Sequence, residues 1–253
     1  MMRRFILTLE ILFVSLFLLG GSFPETETVR NISGGFSWKD YRTIAHALGG
    51  MDGKDYLNSR EGFLFMYEQG VRLFELDLSR TSDGVWVCRH NWNDSMGQWD
   101  GNGKKVLTEK EFRQSKIYGK YTPMTLEDYS DYVEIARNAG AGEALDQIIP
   151  EIYNEVMFPG TAMLYSFPSY VYSLWQEYSV EELEHIASFC KEKGIPAATV
   201  YWEYWSEETE KIFEKNGISL YVYTVNDRDQ ARRYISQGAE GICTDFLTAE
   251  DLW

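Results

Sequence analysis

Short apolar runs alternate with amphipathic segments along residues 41–253, a pattern typical of strands that alternate with helices. The runs that predict strands are 43–47, 71–79, 85–90, 147–153, 171–176, 197–201, 218–225 and 241–245. The patterns that predict helices are 59–69, 125–138, 180–193, 206–215 and 228–237. The run 85–90 follows the turn 81–84 directly, so we expect it to form a hairpin with the strand before it.

This alternation predicts an α/β fold with a parallel sheet covered by helices. For a chain of 253 residues it favours a TIM-type (β/α)₈ barrel over an open sheet. About seven barrel strands are recognisable in the sequence, whereas the architecture has eight. The prediction is therefore an incomplete barrel, with a β-hairpin insertion after strand two.

The first 22 residues have the pattern of an export signal. Arg3 and Arg4 precede an apolar segment over 5–21, and small residues follow at Gly20, Gly21 and Ser22. This predicts either a signal peptide cleaved near Ser22 or an uncleaved membrane anchor. Residues 23–40 are predicted to be a flexible tether, and 41–253 to be the folded domain. The domain is expected to be extracellular or tethered to the outer face of the cytoplasmic membrane.

Charge and cysteine content narrow the classes of function. The chain has 24 basic and 39 acidic residues, a formal net charge of −15, which argues against nucleic acid as a partner. Cys88, Cys190 and Cys243 are far apart and fit no metal-binding spacing, so they are expected to be buried thiols.

Two carboxylates and two histidines are the candidate catalytic and metal-binding residues of the chain. Glu75 and Asp77 are spaced i, i+2 in an apolar run, so they share one face of the predicted strand. Burying two like charges together is costly unless a cation lies between them, and carboxylate oxygens suit Mg²⁺ or Ca²⁺. His46 and His90 flank this strand in the sequence and could supply an acid and a base. The set predicts a metal-assisted hydrolase.

An ordered series of motifs resembles the glycerophosphodiester phosphodiesterase family of the phospholipase-C-like phosphodiesterase superfamily. The motifs are Ile44-Ala45-His46, Asn58-Ser59, Glu75-Leu76-Asp77, Ser82-Asp83-Gly84, Cys88-Arg89-His90-Asn91, and two segments at 222–227 and 238–246. Ala47-Leu48-Gly49-Gly50 after the first histidine is similar to a Gram-positive bacterial branch. The family has Asp where this chain has Asn91.

The resemblance implies a role for each candidate residue. His46 and His90 would be the general acid and base, and Glu75 and Asp77 would bind a divalent cation, Ca²⁺ or Mg²⁺. The family's third metal ligand lies on a barrel strand that we do not find in the sequence, so Glu151 is the candidate replacement.

Three further residues are candidates for the substrate site. Asn58 would contact substrate or cap the following helix. Tyr223 and Trp175 would line the pocket. An aromatic segment at 201–205 would lie on the same face, either packed in its loop or contacting a lipid-derived group.

The expected reaction is hydrolysis of a small-molecule or lipid-derived glycerophosphodiester to glycerol 3-phosphate and an alcohol. Two alternatives stay open. One is a metal-independent phosphatidylinositol-type phospholipase C that forms a cyclic phosphate. The other is a barrel that binds phosphorylated headgroups without cleaving them.

Overall fold

The computed structural model describes residues 40–90, 92, 105–129, 148–152, 163–165 and 170–253. Nine strands lie in these ranges: β1 (Thr43–Ala45), β2 (Leu73–Arg80), β3 (Trp86–Cys88), β4 (Ile148–Ile152), β5 (Met163–Tyr165), β6 (Tyr170–Leu174), β7 (Ala197–Tyr201), β8 (Ser219–Tyr223) and β9 (Gly241–Thr244). The α-helices that lie wholly in these ranges are α1 (Arg60–Glu68), α2 (Glu109–Gln114), α3 (Val180–Lys193), α4 (Glu207–Lys215) and α5 (Arg228–Ser236), and residues 126–129 are helical as well.

Eight of the described strands form a closed ring. Its order is β1-β9-β8-β7-β6-β5-β4-β2, and β2 pairs back to β1 through Ile44 beside Leu73 and Ala45 beside Phe74. The ninth strand, β3, lies antiparallel to β2 outside the ring, with Cys88 opposite Leu78. The predicted α/β barrel and its hairpin after strand two are confirmed.

One position in this ring is unlike the rest. Seven of the described strands in the ring run parallel to one another, and seven barrel strands were recognised in the sequence. The remaining strand, β5, lies antiparallel between β4 and β6. Strand β4 pairs directly with β2, with Glu151 beside Asp77, so it occupies the third position of the ring. The next position, between β4 and β6, is filled by β5, a strand of three residues whose antiparallel pairing has no local signal in the sequence.

The helices begin and end where local side chains satisfy their backbone groups. Ser59 caps α1 by accepting a hydrogen bond from the Gly62 N–H, and Ser179 caps α3 in a capping box with Glu182. Gly194 closes α3 in the left-handed conformation, at φ 69°. These are the polar and glycine signals that limit both helices in the sequence.

Strand residues alternate between the helices and the barrel interior. Phe74, Leu76 and Leu78 of β2 pack against α1, while Leu73 lies in a separate interior cluster. The interior cluster contains Ile44, Leu73, Ala197, Tyr221 and Cys243 from five strands. Two positions further along β2, the same face carries Glu75 and then Asp77. The barrel therefore has an apolar floor with a polar layer above it, towards the carboxyl ends of the strands.

Candidate active site

His46 lies immediately after β1, at the carboxyl end of the barrel. Residues His46–Leu48 form a 3₁₀ turn that bends sharply, with φ of 45° at Ala47, 61° at Leu48 and 89° at Gly49. A Cβ on Gly49 would lie 2.2 Å from the Met66 Cγ, so the turn packs closely on α1. This bend buries the imidazole at the mouth of the barrel.

Asp245 fixes the orientation of the His46 ring. The His46 Nδ1 lies 3.1 Å from the Asp245 Oδ1, and both side chains are buried. Asn226 donates from Nδ2 to the Asp245 Oδ2 at 2.7 Å, and the Tyr56 N–H donates to the Asp245 Oδ1 at 3.1 Å. An Nδ1–H donated to Asp245 leaves His46 Nε2 as the atom that can exchange a proton.

The charges around His46 favour its protonated form. Burial alone opposes the imidazolium, but the Asp245 carboxylate, with Glu75 and Asp77, outweighs burial and raises the pKa of His46 to about 10. Burial also acts against ionised Asp245, yet His46, Asn226 and the Tyr56 N–H together lower the pKa of Asp245 below its ordinary value. The two groups therefore form a buried ion pair.

Glu75 and Asp77 lie on the interior face of β2 and are held by specific donors. Their exposed fractions are 4% and 0%. The Ala47 N–H donates to the Glu75 Oε2 at 2.6 Å. Asn58 donates from Nδ2 to the Asp77 Oδ2 at 2.7 Å and accepts from the Asp77 N–H at 3.1 Å. Asn58 therefore orients Asp77, and the N-cap of α1 is Ser59. A substrate contact by Asn58 stays a prediction.

His90 follows the hairpin strand β3 and reaches the same mouth. The Arg89 N–H donates to the Asp77 carbonyl oxygen at 2.9 Å, and the Ser79 Oγ donates to the His90 carbonyl oxygen at 3.1 Å. These bonds extend the hairpin pairing past the end of β3. The Tyr56 ring contacts both imidazoles edge to face, with centroids 4.5 Å from His46 and 5.3 Å from His90.

The donor set fits part of a hard-cation shell. Two buried carboxylates on one strand face supply oxygen ligands of the kind that Mg²⁺ and Ca²⁺ prefer. In the part of the chain that the structure describes, no three or more His, Cys, Asp and Glu side chains are grouped as a metal site. Glu151 is the backbone neighbour of Asp77 in the β2–β4 pair.

The predicted pocket residues lie on the opposite side of the mouth. Tyr223 is at the end of β8, where its hydroxyl accepts from Ser173 Oγ at 3.3 Å and donates to the Leu174 carbonyl at 3.4 Å. Its ring lies 5.8 Å from that of Tyr201. Trp175 follows β6 and is exposed. Nothing in these contacts joins Trp175 to the histidines, so its role stays a prediction.

Sequence reasoning missed Tyr56 and gave Asn226 no role. Tyr56 lies in an irregular loop with positive φ at Asp52, Tyr56 and Asn58, and such a loop has no periodic signal. Asn226 lies in the segment 222–227, which was among the motifs that resemble the family. Its hydrogen bond to Asp245 could not be predicted, because no local sequence pattern connects the two residues. Asn91 and the segment 5–21 lie outside the described residues. No helix within the described ranges is both long enough and apolar enough to cross a membrane.

The carboxyl-terminal part of the barrel is similar to a known family. Residues 174–249 match the model of the glycerophosphoryl diester phosphodiesterase family. Over these residues the chain is similar to this family of phosphodiester hydrolases. The matched segment begins at Leu174, the last residue of β6, and includes Asn226 and Asp245. The recognition made from the ordered motifs is thereby confirmed.

Solved structures of phosphodiesterases have the same fold. A protein from Silicibacter pomeroyi DSS-3, assigned as a glycerophosphoryl diester phosphodiesterase, is 18% identical, with a TM-score of 0.59 over 83% of this chain and 91% of that one. An Oleispira antarctica phosphodiesterase in complex with the product sn-glycerol-3-phosphate is 19% identical, with a TM-score of 0.55 over 81% and 92%. A Thermotoga maritima glycerophosphodiester phosphodiesterase is 18% identical, with a TM-score of 0.53 over 81% and 94%. No curated protein matches the chain.

Proposed function

We propose that this phosphodiesterase hydrolyses glycerophosphodiesters to glycerol 3-phosphate and an alcohol, with His46 and His90 as its acid and base. The observation that carries the proposal is the meeting of both histidines at one barrel mouth, beside two buried carboxylates. The substrate class is supported by the Oleispira phosphodiesterase, whose structure contains the product sn-glycerol-3-phosphate.

A divalent cation, Mg²⁺ or Ca²⁺, would be held by Glu75 and Asp77, with Glu151 as the third carboxylate. Bound there, it would polarise the phosphoryl oxygens and offset the negative charge that develops during displacement. The Ala47 N–H and the Asn58 amide hold one oxygen each of Glu75 and Asp77. The ligands are therefore oriented before any cation arrives, which reduces the cost of binding.

The two histidines would move the protons of the reaction. One would take the proton of the nucleophile, water or a neighbouring substrate hydroxyl, and the other would protonate the departing alcohol. Asp245 keeps the Nδ1 of His46 engaged, so His46 Nε2 is the atom that would serve the reaction. Burial of His46 and of both carboxylates excludes water around the transferred group, which strengthens each electrostatic interaction.

The substrate's glycerol or alcohol part would lie across the mouth from the carboxylates. Tyr223 and Trp175 are the proposed lining residues, and Tyr201 extends the aromatic surface beside Tyr223. An aromatic surface fits the CH groups of glycerol or of an alcohol and leaves the phosphate facing the carboxylates.

Replacement of each histidine tests the assignment directly. His46→Ala and His90→Ala are each expected to lower turnover of glycerophosphocholine by about 10²-fold or more, because each removes a proton-transfer group. His185→Ala is the matched control, since His185 is exposed on α3. Circular dichroism would check that each variant folds. Wild-type turnover in either folded variant overturns the assignment.

Replacement of the carboxylates tests the cation site separately. Glu75→Gln and Asp77→Asn keep the side-chain size and remove one charge each, so both are expected to abolish reactivation by Mg²⁺ or Ca²⁺ after chelation. Glu151→Gln is expected to raise the cation concentration needed for half-maximal activity. Unchanged cation dependence in Glu75→Gln and Asp77→Asn contradicts the proposed site.

A further inference from the structure

Tyr56 lies at the centre of the site without a role in the proposed chemistry. It sits in the loop between the His46–Leu48 turn and α1, in the left-handed region at φ 55°. A tyrosine rarely adopts this conformation, and strain of this kind is retained where the surrounding structure enforces it. The loop holds Tyr56 there through contacts made by both its backbone and its side chain.

The backbone of Tyr56 contributes to the His46 pair. Its N–H donates to the Asp245 Oδ1 at 3.1 Å, the same oxygen that lies 3.1 Å from the His46 Nδ1. The Asp245 carboxylate is therefore fixed by Tyr56 on one oxygen and by Asn226 on the other. Every residue except proline would preserve this N–H at position 56, so the hydrogen bond and the ring can be tested separately.

The ring of Tyr56 contacts both His46 and His90. It meets His46 at an interplanar angle of 79° and His90 at 78°, with centroid distances of 4.5 Å and 5.3 Å. Both are edge-to-face contacts, the geometry in which aromatic rings attract. His46 follows β1 and His90 follows the hairpin strand β3, so these two elements meet through this ring.

We propose that Tyr56 is a positioning residue, whose ring holds the His46 and His90 imidazoles in one relative orientation. The inference rests on the function proposed above. Displacement at phosphorus needs its attacking and leaving oxygens roughly in line, so the groups that serve them must keep a fixed separation. A misplacement of about 1 Å costs on the order of 10²-fold in rate. A rigid ring in contact with both imidazoles limits such movement.

Kinetics of two variants separate the ring from the hydroxyl. Tyr56→Leu removes the ring, and we expect kcat on glycerophosphocholine to fall by roughly 10- to 100-fold while KM changes by less than about threefold. Tyr56→Phe keeps the ring edges, so we expect it to retain most of the wild-type kcat. Wild-type kcat in Tyr56→Leu overturns the proposal, and so does an equal loss of kcat in both variants.

Proton NMR of the histidine rings gives a readout that does not depend on activity. The chain has three histidines, and His185 on α3 is an internal reference far along the chain from Tyr56. In Tyr56→Leu the loss of the ring current should move the Cε1 proton resonances of His46 and His90, while His185 stays in place. Tyr56→Phe should keep all three. Unmoved His46 and His90 resonances in folded Tyr56→Leu contradict the proposal.

The two proposals fail in different ways. If His46→Ala or His90→Ala keeps its turnover, the proposed function fails, although the NMR shifts of Tyr56→Leu would still report the ring contacts. If both histidine variants are inactive and Tyr56→Leu keeps its kcat, the function stands and the role of Tyr56 is overturned.

Discussion

At the residue scale, each buried charge of the site is held by a particular polar partner. Asn58 makes two hydrogen bonds to Asp77, the Ala47 N–H donates to Glu75, and Asn226 makes two to Asp245. A buried charge without such partners would be costly, so these hydrogen bonds reduce the cost of burying the carboxylates in the barrel.

The pair Asn58–Asp77 gives a prediction about cation affinity. Asn58→Ala removes one hydrogen bond from the fully buried Asp77 carboxylate and one from the Asp77 N–H, so we expect a loss of about 1–3 kcal/mol in the free energy of unfolding. The cation concentration for half-maximal turnover should rise as well. Asn226→Ala is the control, because it loosens Asp245 and leaves Asp77 in place. Equal cation dependence in the two variants contradicts the role given to Asn58.

Glu210 gives a prediction about pH. Its carboxylate accepts from the Trp205 Nε1 at 3.1 Å, and burial, with repulsion from Glu240 and Glu214, raises the pKa of Glu210 to about 7. In the unfolded chain the ordinary value is 4.5, so the folded protein binds more protons between about pH 4.5 and 7. Stability should therefore fall as pH rises through this window.

The variant Glu210→Gln keeps the hydrogen bond from Trp205 and removes the titration. Relative to the wild type, we expect it to gain up to about 2 kcal/mol in the free energy of unfolding at pH 8 and much less at pH 4.5. Urea unfolding at both pH values measures the difference. A gain that is equal at both pH values would show that the Glu210 carboxyl does not cause the pH dependence.

At the scale of elements, the sequence predicts most of the barrel. The bounds of α3 and β7 were predicted to the residue, because a capping serine, a closing glycine and a β-branched run mark them. Strand β5 was missed because antiparallel pairing at that position has no local signal. The interior face of β2 was predicted, since alternation alone separates Glu75 and Asp77 from Phe74.

The sequence suggested the candidate residues of the site but not the contacts between them. His46, His90, Glu75 and Asp77 could be selected from their chemistry and their order in the chain. The pairing of Asp245 with His46 spans 199 positions, and no local pattern encodes it. Tyr56 escaped notice because an aromatic residue in an irregular loop has many packing explanations.

The contact between α1 and the His46 turn gives a prediction at this scale. Alanine in place of Gly62 would normally favour a helix, by about 0.5–1 kcal/mol. Here the new Cβ would lie 2.7 Å from the Gly49 carbonyl oxygen, so we expect Gly62→Ala to lose about 1–3 kcal/mol instead. Turnover should fall too, because the turn carries His46.

Glu68→Ala is the matched control for Gly62→Ala. Glu68 is exposed at the end of the same helix, so its replacement should change the free energy of unfolding by less than about 0.5 kcal/mol. Urea unfolding of both variants measures the difference. Stabilisation by Gly62→Ala would contradict the close packing of α1 on the turn.

At the scale of the whole molecule, the barrel interior is apolar at the amino-terminal ends of the strands and polar at their carboxyl ends. The floor of Ile44, Leu73, Ala197, Tyr221 and Cys243 closes the amino-terminal half, and the polar groups stand above it. Because side chains fill the interior of the barrel, the candidate site residues lie at one end of it. The net charge of −15 adds a field that attracts cations and repels anionic substrates. In the proposed function, a bound cation would therefore assist entry of the phosphodiester as well as its cleavage.

The most direct test of the account is ³¹P NMR of glycerophosphocholine incubated with the purified protein. The account predicts that glycerol 3-phosphate appears with Mg²⁺ or Ca²⁺ present, is lost on chelation and returns when the cation is restored. Cyclic phosphate as the product, formed equally with chelator, would contradict it in favour of a metal-independent phospholipase C. Unchanged substrate under every condition would contradict it in favour of a barrel that only binds.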